Sequence, residues 1–238
     1  LSFLTPRYDP WVVVASILIA TFASYVALDL AQRVRTPDRR VARGWWVAGS
    51  VAMGTGIWGM HFVGMLAFSL PIALGYAVTL TVVSWVAGVA ASGVALAVAS
   101  RGRLTLGRLS GGALTMGAAI CAMHYIGMEA LDLSPAIVWR WELVAASAVI
   151  AVVASAAALL IFFWLRQVNE QRGPVYQASA ALVMGLAISG MHYTGMTAAQ
   201  FPEGTVCLSV NGLGGASLAT LVLLSSIAML AFTLYTSV

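Results

Sequence analysis

Lysine is absent from this 238-residue sequence, and charged residues of every kind make up only 8% of it. A soluble domain carries roughly a quarter charged residues, so a chain this poor in charge cannot clothe an ordinary globular surface. Histidine is almost as scarce, at three, and the cysteines are two, Cys121 and Cys207. They make no metal-type spacing and are too few for a disulfide framework. No Gly-rich phosphate loop, Ser-His-Asp set or pair of carboxylates occurs either. An enzyme is not expected.

Apolar residues fill the gap, at 61% of the chain. They run the whole length, which describes a polytopic membrane protein surrounded by lipid. A crossing helix needs about 20 mainly apolar residues. Seven such stretches can be drawn, at about 11–32, 44–69, 75–99, 108–131, 142–165, 174–200 and 214–237. The expected fold is therefore all-α, a polytopic membrane bundle of seven transmembrane helices in a single domain over 1–238. No basic segment or small-residue cleavage site precedes Trp11, so the first stretch reads as a retained span. Because residue 1 is Leu, part of the native N-terminus is expected to lie before it.

All twelve basic residues are arginines. Arg33, Arg35, Arg39, Arg40 and Arg43 lie between the first two spans, Arg101, Arg103 and Arg108 around the third connection, and Arg166 and Arg172 in the fifth. Arg7 and Arg140 fall on the opposite side. Ten against two places the N-terminus outside and the C-terminus in the cytoplasm by the positive-inside rule. Trp11, Trp139 and Trp141 would mark the outer interface, and Trp45, Trp46 and Trp164 the inner one. The arginines thus report topology, and no nucleic-acid partner is expected.

The three histidines share one phrase. GMHFVGM at 59–65 returns as AMHYIGM at 122–128 and GMHYTGM at 190–196. A Met-Gly pair stands seven residues before each Met-His, giving M-G-x5-M-H-x2-G-M, and the pattern absorbs nine of the ten methionines. The copies lie 63 and 68 residues apart, the length of two spans with their loops. This predicts three tandem helix pairs, about 11–69, 75–131 and 142–200, followed by an unpaired seventh helix at 214–237. Spans two, four and six then run the same way, so matching residues share a depth. At 1.5 Å per residue the imidazoles lie ~24–30 Å above the inner boundary, in one layer near the outer face.

On each helix the Met four residues after His lies on the same face. His61, His124 and His192 are accordingly the candidate metal ligands, with Met65, Met128 and Met196 the favoured thioethers and Met60, Met123 and Met191 next. Gly54, Gly117 and Gly185, and within the phrase Gly64, Gly127 and Gly195, are expected to pack helices closely or stand behind the ligands. Duplication also copies plain packing residues, and Met and Gly are common filler. Three imidazoles at one depth argue for function, since ionisable groups inside a membrane are costly.

Three imidazoles can supply a three-coordinate site, or three ligands of a tetrahedral one with an open position. Added thioethers make the set soft and favour copper, Cu(I) above all; zinc is the lesser alternative. Cys121, three residues before His124, can reach the same face but reads as core. Glu129 and Asp132 read as a solvated rim, with a place behind the metal ligands as the lesser alternative, and Asp29 as snorkelling or pairing with a first-loop arginine. Tyr125, Tyr193 and Phe62 fit either belt aromatics or groups behind the ligands. A copper transporter, with Met53, Met116 and Met184 as a second ring ~10 Å further inward, is the alternative function, and a bis-His haem protein a third.

GMHYTGM contains the tetrapeptide that names the bacterial MHYT domain, and nearly the whole chain resembles that family. The first copy reads MHFV and the second MHYI. The resemblance implies an integral sensor of the bacterial cytoplasmic membrane, with a copper site that senses O2, CO or NO. It also implies a C-terminal cytoplasmic output domain that makes or degrades cyclic di-GMP. No such domain lies within residues 1–238. A homodimer is a further expectation.

Overall fold

The structure, a computed structural model, describes residues 2–167 and 173–237; Arg172 falls outside that range. Seven helices account for most of it: α1 (Pro10–Arg33), α2 (Arg39–Ala67), α3 (Val78–Ala99), α4 (Leu106–Glu129), α5 (Trp141–Leu165), α6 (Gly173–Ala198) and α7 (Gly215–Ser237). The first six are long and apolar enough to cross a membrane, and Gly215–Met229 of α7 is apolar as well. Asp9 caps α1 by accepting from the amides of Trp11 and Val12, with Pro10 opening the helix, and Asp38 caps α2 in the same way. That second cap is why α2 starts at Arg39, ahead of the apolar run beginning near residue 44.

Helices α1 to α6 close into a ring in which each packs on its sequence neighbours and α6 returns to α1. Helix α7 stands outside the ring against α2. Small residues set these contacts. A Cβ on Gly54 would come 2.5 Å from Cα of Val89 on α3, on Gly117 3.0 Å from Val152 on α5, and on Gly185 2.7 Å from Thr21 on α1. The three partners are themselves spaced by 68 and 63 residues, so the whole ring, and not only the motif, repeats threefold. Each even helix thus lies backbone-close on one odd helix, which orients its motif face inward.

The motif-bearing helix ends are roofed by short strands. β1 (Arg7–Tyr8) pairs antiparallel with β2 (Phe68–Ser69), and β3 (Gly75–Tyr76) with β8 (Leu213–Gly214). β4 (Leu133–Ser134) pairs with β7 (Val206–Cys207), and β5 (Val138–Trp139) with β6 (Ala199–Gln200). The apolar runs extend into these pairs, so the helices end earlier than the runs do. Beneath the roof Phe68, Leu70, Tyr76, Leu131 and Phe201 are buried in one apolar cluster. At the other end Arg33 pairs with Asp29 at 2.7 Å, and the guanidinium of Arg166 donates to the carbonyls of Ala99 and Arg101. The connections there and the first two turns of the helices that follow them carry the remaining described arginines apart from Arg7 and Arg140.

Candidate metal centre

His61, His124 and His192 stand five or six residues before the ends of α2, α4 and α6, about 8–9 Å inside the roofed end. All three are buried, and their ring nitrogens lie within 4.8 Å of one another. They meet through Nδ1: His61 is 3.1 Å from His192 and 3.2 Å from His124. For a tetrahedral ion with nitrogen bonds of 2.0–2.1 Å, two ligands stand roughly 3.3 Å apart. The spacing fits.

Proton counting makes the imidazole cluster hard to satisfy without a cation. A neutral imidazole carries one proton, so a given Nδ1 either donates or accepts. Nδ1 of His61 faces two other Nδ1 atoms, and it can make one good hydrogen bond, not two. With the protons on Nε2, three lone pairs point at one another. A cation among them turns that repulsion into coordination. The residues present therefore fit a metal ion through Nδ1.

Each Nε2 faces the motif glycine of another copy. A Cβ on Gly127 would collide with Nε2 of His61, one on Gly195 with that of His124, and one on Gly64 with that of His192. None of the three Nε2 atoms has a hydrogen-bond partner. Metal-bound histidines usually donate their second nitrogen to a neighbour; here steric contact fixes the rings instead. The aromatic after each His supplies the other wall, edge-on at 4.7 Å for Phe62, 4.8 Å for Tyr125 and 4.7 Å for Tyr193.

Those aromatics are tied to the odd helices. Tyr125 shares a hydrogen bond of 2.6 Å with Ser147, and Tyr193 one of 2.7 Å with Ser16. Ser84 is the equivalent serine for the first copy, where Phe62 has no hydroxyl. Trp58 takes over, donating Nε1 to Ser84 Oγ and to the carbonyl of Thr81, both at 3.2 Å. Above the site, burial and then Tyr193 push the Tyr8 phenol up to about 12, and burial and then Cys207 raise Tyr76. The roof phenols stay neutral at ordinary pH.

All six motif methionines nearest the layer, Met60, Met65, Met123, Met128, Met191 and Met196, are buried. Cys121 is half-buried and free, outside the imidazole cluster. Cys207 is buried in the roof, with Sγ 3.0 Å from the Leu131 carbonyl. Glu129 is exposed, and Asp132 accepts from Ser209 Oγ at 2.7 Å, so both belong to the rim. The glycine cradles were missed as ring contacts; their recurrence three residues after every His was the available signal.

The MHYT family profile, described as a bacterial signalling protein N-terminal repeat, matches residues 2–44, 54–112, 117–172 and 185–238. The chain belongs to the MHYT family. Three of the matched segments open at the repeated glycines Gly54, Gly117 and Gly185. The MHYT chain is similar to MucR of Pseudomonas aeruginosa, named a bifunctional diguanylate cyclase/cyclic di-GMP phosphodiesterase, at 48% identity over 99% of this chain and 34% of that protein. It is also similar to the signalling protein YkoW of Bacillus subtilis, at 38% over 82% of this chain and 24% of that protein. NbdA of P. aeruginosa, named a cyclic di-GMP phosphodiesterase, is 36% identical over 83% of this chain and 25% of that protein. The MHYT chain thus spans about a quarter to a third of the length of these relatives. No solved structure matches it.

Proposed function

We propose that this is a non-catalytic sensor domain of the bacterial cytoplasmic membrane, holding copper near the outer face through His61, His124 and His192. The convergence of the three imidazoles, with Nδ1 of His61 3.1 Å from that of His192 and 3.2 Å from that of His124, carries this reading. Copper there would supply a soft centre with an open position for O2, CO or NO, or for a redox change. Met65, Met128 and Met196, and behind them Met60, Met123 and Met191, keep the surroundings apolar and soft, which favours Cu(I) over zinc. Roof and glycine cradles exclude water and fix the rings.

The route outward runs through α2. It carries His61, and its other side meets α7: a Cβ on Gly56 would come 2.9 Å from Sδ of Met229. A change at the imidazole cluster that moves α2 therefore moves the surface on which α7 rests. Signalling requires two arrangements of this contact with different affinity for the signal. The activities for which MucR and NbdA are named support a cyclic di-GMP output beyond α7. Elemental analysis of the chain extracted from membranes without added metal tests the copper reading, with about one copper per chain expected. Zinc alone, or no metal, would overturn it.

Two further results are expected. A reporter fused after Val238 should be cytoplasmic, because the arginine-rich connections are retained inside; a periplasmic reporter would invert the site to the inner leaflet. Replacing Met65, Met128 or Met196 by Leu keeps the apolar volume, at a packing cost usually below ~1.5 kcal/mol. Each variant should fold and keep copper, with a smaller preference for Cu(I) over zinc in competition. An unchanged preference in all three would remove the thioethers from the site.

A further inference from the structure

A second set of methionines lies deeper in the ring. Eight residues before each histidine stand Met53, Met116 and Met184, about 12 Å further along the helices. All three are buried, and all three line one cavity of about 60 Å³ to which each of α1 to α6 contributes. Ile57, Ile120 and Ile188 repeat around its wall. The odd helices add Ser24, Ser92 and Ser155 at offsets of 68 and 63 residues. Ser24 donates to the Ala20 carbonyl at 2.8 Å, and Ser92 to that of Gly88 at 3.0 Å. Ser155, only 2% exposed, has no partner for its hydroxyl. A buried hydroxyl is costly to leave unpaired, and here it lines the same chamber as the three thioethers.

We infer that this chamber is a second, readily exchanging binding site, empty after extraction without added metal, for a soft monovalent cation of the Cu(I) or Ag(I) class, held by Met53, Met116 and Met184 with Ser155 as a polar neighbour. The chamber wall contains no charged residue, and the cost of burying an ion rises with the square of its charge, so a divalent ion is penalised about fourfold more than a monovalent one. Thioethers are soft donors that select Cu(I) over hard cations, and Met side chains are flexible enough to close on an ion. A small dry cavity with apolar walls alone would take an apolar guest; three sulfurs at equivalent positions and an unpaired hydroxyl argue for a cation. This site stands whether or not the imidazole cluster binds metal.

Ag(I), soft and redox-inert, is the probe. The full chain with its native copper should take up one further Ag(I), and X-ray absorption at the silver edge should show it in a sulfur-only shell. The His61→Ala/His124→Ala/His192→Ala chain should keep one Ag(I) with sulfur ligands and no nitrogen. The Met53→Leu/Met116→Leu/Met184→Leu chain should lose that ion while retaining its native copper. Helical circular dichroism and a monodisperse elution profile check the fold of both. If the His-free chain does not fold, titration of the wild type against the Met53/Met116/Met184 variant reads the same difference. No sulfur-only shell in the wild type, or one that survives the three Leu substitutions, would overturn the site. Loss of copper from the His-free chain with Ag(I) retained bears only on the imidazole cluster.

Discussion

His192→Ala should yield a chain that still folds and elutes as one species but keeps less than roughly a tenth of the wild type's copper. The substitution removes one of three ring nitrogens that lie within 4.8 Å of one another, the one that Nδ1 of His61 meets at 3.1 Å. It also relieves the crowding that favours a cation. With the third ring gone, His61 and His124 at 3.2 Å can share one proton in an ordinary Nδ1–H···Nδ1 hydrogen bond, which competes directly with an ion. His61→Ala and His124→Ala should give comparable losses, because the threefold repeat puts the donors at equivalent positions. Copper per chain after extraction is the measurement. A folded His192→Ala chain with full copper would sink the three-imidazole site, whereas equal loss of folding in all three variants would make the histidines packing residues.

Much of this arrangement was legible in the residues, and the reasons are specific. Hydropathy found each helix to within about five residues, because a run such as 142–165 has no competing pattern, and α5 indeed spans Trp141–Leu165. The offsets of 63 and 68 residues placed the histidines in one layer, since parallel helices of equal rise carry equal positions to equal depth. Asp29 found its arginine, Arg33, because the two stand one turn apart on α1.

The rest depends on which helices become neighbours, and that is tertiary. Nothing in M-H-x-x-G-M says that the glycine of one copy receives the imidazole of another. The choice of Nδ1 over Nε2 as the converging atom follows from that packing alone. The two-residue strands of the roof are too short for any alternation to announce them. Trp58 standing in for a missing tyrosine hydroxyl is visible only once Ser84 lies beside it. The sequence reading located the donors; helix packing decides which atoms they present.

Gly127→Ala separates these two levels in one experiment. An added Cβ collides with Nε2 of His61, the end of a side chain that can turn aside about its own bonds. Turning it swings Nδ1 out of the cluster, so the expected result is a folded chain that has lost most of its copper, like a histidine deletion without the loss of an imidazole. Overpacking of this kind typically costs ~1–3 kcal/mol, which a ring of six helices can absorb. Gly54→Ala should differ: its Cβ meets the backbone of Val89 at 2.5 Å, backbone cannot turn aside, and the α2–α3 contact opens. That variant should lose folded yield before metal content per folded chain. Gly190→Ala is the control, with nothing within 4 Å of the new Cβ although Met191 is adjacent; replacing an exposed helical Gly by Ala should be neutral or stabilising by up to ~1 kcal/mol. Copper per chain and thermal midpoint, measured for all three variants, give the answer. If Gly127→Ala kept its copper, the glycine cradle would not fix His61, and the rings would owe their orientation to the aromatic walls alone.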